Sequence, residues 1–194
     1  MAWARAFLAS SWTDVDLAEL PTCTRCALSQ TRQRVVVGSG PQPADLMIVG
    51  EAPGKTEDEG GEPFIGRSGR LLFRLVHEEL GLDREQCFVT NVVKCRPPAN
   101  RTPRPTEIAA CRPWLDDQVA QCRPRVILAL GNTAAKSVFG FDAGIGLTHG
   151  RVVALGTSRG LATYHPAAAL RGGPSVVDVM RGDLRVLKEL LRGK

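Results

Sequence analysis

The sequence predicts an α/β protein, a three-layer αβα sandwich around a mainly parallel central sheet. Two observations carry the prediction. Short apolar runs rich in β-branched residues, at 46–50, 87–93 and 125–130, alternate along the chain with longer stretches whose apolar residues recur at helical spacing. The first run, Leu46-Met47-Ile48-Val49, ends in the turn Gly50-Glu51-Ala52-Pro53-Gly54 and feeds a glycine-dense loop leading into a helix, the pattern of the carboxyl edge of a parallel sheet. Ligands of open α/β sheets bind at that edge.

Taken in order, Asp14 is placed to cap a short helix over 14–20 that Pro21 stops, and a Thr/Arg-rich loop with Cys23 and Cys26 follows. Residues 34–40 read as a short extended piece, and 41–45 turn the chain into the first core strand, 46–50. Ser68 can cap a helix that gathers Leu71, Leu72, Leu75, Val76 and Leu80 on one face and ends at Gly81. The run CFVTNVV at 87–93 is a second strand, delivering Asn91 into the proline-rich loop Lys94-Cys95-Arg96-Pro97-Pro98, which suits neither a helix nor a ladder strand. From Pro105 a helical stripe of Ile108, Cys111, Leu115 and Val119 resumes, with Pro113 expected to kink or split it. A third strand at 125–130 precedes a helix over 134–138, capped by Asn132 or Thr133 and closed by Gly140. Strands at 151–155 and 161–164 flank a turn, and a final helix over 175–192 turns Val176, Val179, Leu184, Leu187 and Leu190 or Leu191 inward.

The 194 residues suit one domain, 1–194, divided into a helix plus first cysteine loop (1–45) and the αβα core (46–194). No apolar run approaches membrane length and the N-terminus lacks a convincing cleavage signal, so no membrane partner is expected and the compartment is expected to be the cytoplasm. The net charge of +5, carried by arginines in proline- and glycine-rich loops, fits a solvated basic face and a nucleic-acid-binding face equally well. Six cysteines in a chain able to build a core favour a reduced state over disulfides. Cys87 and Cys122 read as packing residues, whereas Cys23 and Cys26 form a C-x2-C pair with Cys95 and Cys111 far downstream. Four thiolates suit zinc or an iron–sulfur cubane alike.

Three loops, 51–69, 91–104 and 165–171, would meet at one sheet edge and bring together a carboxylate (Glu51), an aromatic (Phe64), an amide (Asn91) and an imidazole (His165). Such a set can hold a flat heterocycle and manage charge around it. His77 and His149 read as solvated, and Asp58 as an ordinary exposed acid.

The motifs GEAPG and GGEPFIGRSG, then TNVVKCRPPANR, the cysteine spacing and TYHPAAALR, in this order from Cys23 to about Arg171, resemble the iron–sulfur (family 4) uracil-DNA glycosylases. The resemblance implies hydrolysis of the N-glycosidic bond of uracil in DNA, releasing the base and leaving an abasic site. It places a [4Fe-4S] cluster on Cys23, Cys26, Cys95 and Cys111, stacks uracil on Phe64 and reads its O4 and N3 hydrogen with Asn91. His165 would stabilise the anion developing at uracil O2, and Glu51 the sugar cation or the attacking water, because Ala52 stands where other uracil glycosylases carry an aspartate. Glu57 is the candidate for excluding the 5-methyl of thymine. Gly66, Ser68 and Gly69 would seat a DNA phosphate at a helix start, with Arg101 and Arg171 as further DNA contacts and Leu170 as a wedge. Ala169 replaces a second large apolar residue of that wedge.

The loop after Asn91 holds no histidine, so a hydrolase that turns over is expected rather than a covalent cross-linker, and Lys55 and Lys94 show no sign of the activation that lyase chemistry needs. The expectation is a monomer acting on uracil-containing DNA, its product passing to downstream abasic-site repair enzymes. Rival readings are a non-catalytic iron–sulfur nucleic-acid-binding module and a glycosylase of broader deaminated-base range.

Overall fold

The computed structural model describes residues 16–193. Strands β1 (Leu46–Gly50), β2 (Cys87–Asn91), β3 (Val126–Leu130), β4 (Val153–Leu155) and β5 (Ser158–Thr163) form one sheet in the order β2-β1-β3-β5-β4. β1 pairs in parallel with β2 and β3, and β3 with β5; only β4 is antiparallel, joined to β5 by a tight turn at Gly156, where φ is +60°. The helices are α1 (Lys55–Gly60), α2 (Arg67–Leu80), α3 (Pro105–Cys122), α4 (Gly131–Phe139), α5 (Ile145–Thr148), α6 (Pro166–Gly172) and α7 (Pro174–Leu191). The α/β sandwich expected from the sequence is the fold observed.

β1, β2 and β3 are buried along their whole length, so alternate side chains feed two cores. Met47, Val49, Ile127 and Ala129 pack on one face with Trp114 and Leu115 of α3 and with Ala134 and Val138 of α4. Leu46, Ile48, Val126 and Leu128 pack on the other with Leu72, Leu75 and Val76 of α2 and with Met180, Leu184 and Leu187 of α7. Truncating a leucine of the α2–α7 seam to alanine costs ~2–5 kcal/mol, transfer and cavity terms together. Arg181 ties the same seam outside the core by pairing with Glu78 and Glu79.

The structure corrects several local expectations. In place of a helix over 14–20 there is a 3-10 turn, Leu17–Thr22, with Asp16 rather than Asp14 as its cap and Pro21 inside it; Asp14 lies outside the described residues. α3 runs unbroken through Pro113, because Ala109, whose carbonyl loses its helical donor there, lies on an exposed face. Gly66, not Ser68, is the N-cap of α2. α4 starts at Gly131, directly on the end of β3, so Asn132 and Thr133 lie in its first turn and their side chains bond elsewhere. β2 ends at Asn91, and the amides of Val92 and Val93 instead bond the carbonyls of Gly50 and Glu51. Helices α1, α5 and α6 form where the sequence suggests loops, and Pro98–Asn100 closes a 3-10 turn with Ala99 and Asn100 at positive φ.

Candidate active site

The carboxyl ends of β1, β2, β3 and β5 open into one cleft of about 730 Å³, lined among others by Glu51, Ala52, Phe64, Asn91, Gly131 and His165. The chain leaves β1 toward β2 on one side and returns to β3 on the other, so the cleft stands where the strand order reverses, the place such sheets leave a crevice.

At its floor, Asn91 and Phe64 cross over Gly50. A Cβ there would overlap both the Asn91 amide oxygen and the Phe64 ring, so glycine is what allows the two to meet. Asn91 is 2% exposed, and among the described residues its Oδ1 has no hydrogen-bond partner. An orphaned buried acceptor costs ~1–3 kcal/mol until something donates to it. Phe64 is buried and adopts φ of +57°, a conformation that costs a bulky residue ~1–2 kcal/mol. Gly69 lies under the Phe64 carbonyl, where a Cβ would overlap it, and does not line the cleft. Its place is structural, and the expectation of a phosphate seat is corrected to that extent.

His165 is the N-cap of α6, with Pro166 at the first helical position. Its Nδ1 accepts from the Ala167 amide at 3.1 Å, which leaves the hydrogen of the neutral ring on Nε2 as a donor. Burial, with Arg171 adding to it, pushes the imidazole down to about 4, so the ring is neutral at physiological pH. Its centroid is 6.0 Å from that of Phe64. Across the cleft, Glu51 is half-buried and accepts a 2.5 Å hydrogen bond from Thr133 of α4, a partner its sequence reading as a helix cap does not anticipate.

The Glu57 carboxylate accepts from the amides of Gly54 at 3.1 Å and Gly66 at 2.8 Å, clamping the turn after β1 to the start of α2. That clamp is what its contacts show; Glu57 also lines the cleft, and the Gly66 amide is thereby already engaged. Ser68 and Arg171 line the cleft, whereas Leu170 is exposed and stands outside its lining. Ala169 is buried in the α7-side core and leaves no room for a second wedge. Arg101 lines the cleft, but its guanidinium is held at 2.8 and 2.6 Å by the buried Glu107, whose carboxyl it keeps at about 2. Arg101 is thus tied into its own loop.

Other residues also change character. Asp58 is buried and takes the amides of Gln33 and Arg34, pinning the segment after the first cysteine pair. His149 is half-buried and paired with the buried Asp183 at 3.0 Å, and His77 pairs with Asp83 at the surface. Lys94 is fully buried with its ammonium bonded to Thr90, Gln118 and the Asn91 carbonyl; burial lowers it to about 8, but those bonds keep it from the cleft.

On the α3 side, Cys23, Cys26, Cys95 and Cys111 line one small cavity with Leu20, Arg32 and Lys94. The Lys94 amide donates to Cys111 Sγ at 3.3 Å and Arg32 to Cys95 Sγ at 3.5 Å. All four are free thiols, and no three His, Cys, Asp or Glu side chains among the described residues converge tightly enough to hold a single ion. Cys87 and Cys122 are fully buried and apart from this cavity, as expected of packing residues.

The family model described as "Uracil DNA glycosylase superfamily" matches residues 37–184, which span every strand and the whole cleft. The chain belongs to this superfamily. Within it, the chain is similar to proteins named type-4 uracil-DNA glycosylase: that of Saccharolobus solfataricus is 40% identical over 93% of this chain and 87% of its own length. The corresponding protein of Thermotoga maritima is 45% identical over 77% of this chain and 78% of its own length. A type-5 uracil-DNA glycosylase of Pyrobaculum aerophilum is more distant, at 29% identity. The superfamily assignment puts the shared region on the strand ends and loops that build the cleft. Thr133 and Asp58 were not legible as site supports, since each looks like an ordinary cap or surface acid until its distant partner is known.

Proposed function

We infer that the chain is a monofunctional uracil-DNA glycosylase of DNA repair, hydrolysing the N-glycosidic bond of uracil in DNA to free uracil and an abasic site. The similarity to type-4 uracil-DNA glycosylases supports the activity. The observation in the site that carries it is the unpartnered, buried Asn91 oxygen at the foot of the cleft, beside Phe64. Uracil offers an N3 hydrogen to that oxygen and an O4 acceptor to the amide hydrogens; cytosine inverts both, so it would leave buried polar groups unpaired. Phe64 stacks on the base that has left the duplex, replacing lost stacking.

As the glycosidic bond breaks, negative charge gathers on uracil and positive charge on the sugar. His165, neutral and donating from Nε2, hydrogen-bonds the developing oxyanion at O2 without first giving up a proton to solvent. Glu51, oriented by Thr133, stabilises the sugar cation or orients the attacking water. Arg171 and Ser68, on the cleft wall, meet the DNA backbone, and the exposed Leu170 presses on the strand beside them.

Cys23, Cys26, Cys95 and Cys111 are proposed to hold a [4Fe-4S] cluster. Four thiols on one cavity suit zinc or a cubane alike; the resemblance to the iron–sulfur uracil-DNA glycosylases favours the cluster, and N–H donors are directed at two of the sulfurs. When bound, such a cluster supplies a cross-link between the first cysteine loop and the loop following Asn91. Iron and acid-labile sulfide in the purified protein check this; zinc alone overturns it. The free thiols suit a reducing compartment such as the cytoplasm. One chain supplies every group of the cleft, so a monomer is taken as the active unit, handing an abasic site to a strand-processing step.

The test is incubation with a labelled uracil-containing oligonucleotide, followed by mass analysis and alkaline treatment. Free uracil and an alkali-labile strand are expected. An intact strand at high protein concentration, or a DNA–protein adduct, would overturn the reading.

A further inference from the structure

Resting on that reading of the cleft, we propose that Arg84 is a positioning residue that holds Phe64 in its left-handed conformation and so sets the aromatic floor of the base site. Arg84 lies in the turn just before β2, the strand that ends in Asn91. Its guanidinium reaches back across the cleft-side loop: Nη2 donates to the Pro63 carbonyl at 2.5 Å and to Ser39 Oγ at 3.2 Å, and Nη1 donates to the Phe64 carbonyl at 3.4 Å. Glu62 stands 3.8 Å from the same group, and the cation lies 4.9 Å over the Phe73 ring of α2. The two carbonyls flanking the strained Phe64 peptide are therefore held by one planar donor fork, a geometry that lysine cannot reproduce.

The Phe64 carbonyl rests against Gly69 and the ring against Gly50, so Phe64 is located by contacts on both sides, while nothing in its own backbone preference keeps φ at +57°. Arg84 also joins the two halves of the slot. It links the Phe64 loop to the start of β2, and Ser39, which it bonds, forms a bridge to Val89 within that strand. Phe64 and Asn91 thus keep a common height above Gly50.

The experiment is a double-mutant cycle. Arg84→Met keeps the stem that packs on Phe73 and removes the fork. With a uracil-containing single strand, kcat/KM for Arg84→Met is expected to fall on the order of 10²-fold, with Arg84→Lys intermediate. In a Phe64→Ala background the same change is expected to matter by less than about twofold, because the group being positioned is gone. An equal loss in both backgrounds would overturn the proposal, since a merely structural role acts regardless of Phe64. Should Arg84→Met fail to fold in a thermal melt, the Arg84→Lys cycle decides by the same criterion. A crystal structure of the variant gives a readout independent of activity: relaxation of Phe64 to negative φ is expected, and an unmoved Phe64 would sink the idea. If the wild type releases no uracil, the functional reading falls while the crystal structure still decides the role of Arg84.

Discussion

At the scale of single residues, the candidate site depends on a few atoms being allowed close together and on one being left unpartnered. Gly50→Ala illustrates the first condition, because the added methyl would meet Asn91 and Phe64 at once. Uracil release is expected to fall by about 10²-fold or more, while urea unfolding should show a loss of only ~1–3 kcal/mol. Asn91→Asp tests the second condition: loss of uracil selectivity, with some excision of cytosine, is expected on paired uracil and cytosine substrates. His165 makes a prediction with a sign. Its folded-state value of about 4 lies below the ordinary 6.5, so the unfolded chain takes up a proton first as pH falls. The stability that the neutral ring contributes is complete above 6.5 and is lost as pH drops from 6.5 toward 4. Nitrogen NMR of His165 should accordingly show a neutral ring at about pH 5.5, and kcat/KM should carry no inflection from this residue between about pH 5 and pH 8. A protonated ring at that pH would refute the neutral assignment, because Nδ1 could then no longer accept from the Ala167 amide. Asn91, Phe64 and His165 could be singled out in the sequence because three loops carry an amide, an aromatic and an imidazole toward one sheet edge within motifs that resemble one family. Arg84 could not, because an arginine beside a helical turn has many.

At the scale of elements, the site is held by carboxylates that accept from backbone amides or, for Glu107, from a guanidinium of the preceding loop. Glu57 fastens the turn after β1 to the start of α2, Glu107 fastens the loop after β2 through Arg101, and Asp58 fastens the segment after Cys26 to α1. Replacing Asp58 with alanine strands two amides and is expected to cost ~1–3 kcal/mol in denaturant unfolding. On the proposed cluster assignment, iron retention should fall in parallel, since that segment follows Cys23 and Cys26. Asp58→Asn, which keeps one acceptor oxygen, should lie between. The strands were legible because burial on both faces writes a continuous apolar run, and α2 and α7 because one apolar stripe does. The short helices α1, α5 and α6 were not. Their six, four and seven residues are too few to show a period, and α6 is nucleated by the His165 cap and Pro166. Caps were misplaced for a related reason: at Gly66 and Leu130 the helices begin where the strand or loop delivers the chain, ahead of the side chains best suited to cap them.

At the scale of the whole molecule, a net charge of +5 and a cleft wall bearing Lys55, Arg67 and Arg171 should make turnover on DNA fall steeply with salt. Arg171→Ala is expected to reduce the slope of log(kcat/KM) against log salt by about one. Arg101→Ala, by contrast, should leave that slope nearly unchanged and lower stability instead, since its charge is already matched by Glu107. By itself the sequence determined the sandwich, the mainly parallel character of its sheet and the motifs that resemble the uracil-DNA glycosylases, because hydrophobic period and motif order are properties of neighbours along the chain. Only the tertiary structure decided that Arg101 and Glu57 are spoken for, that Asp58 and Lys94 are buried, and that Arg84 and Thr133 brace Phe64 and Glu51. These outcomes turn on partners up to 82 residues away, and the energy of a buried hydrogen bond depends on where its partner stands in space.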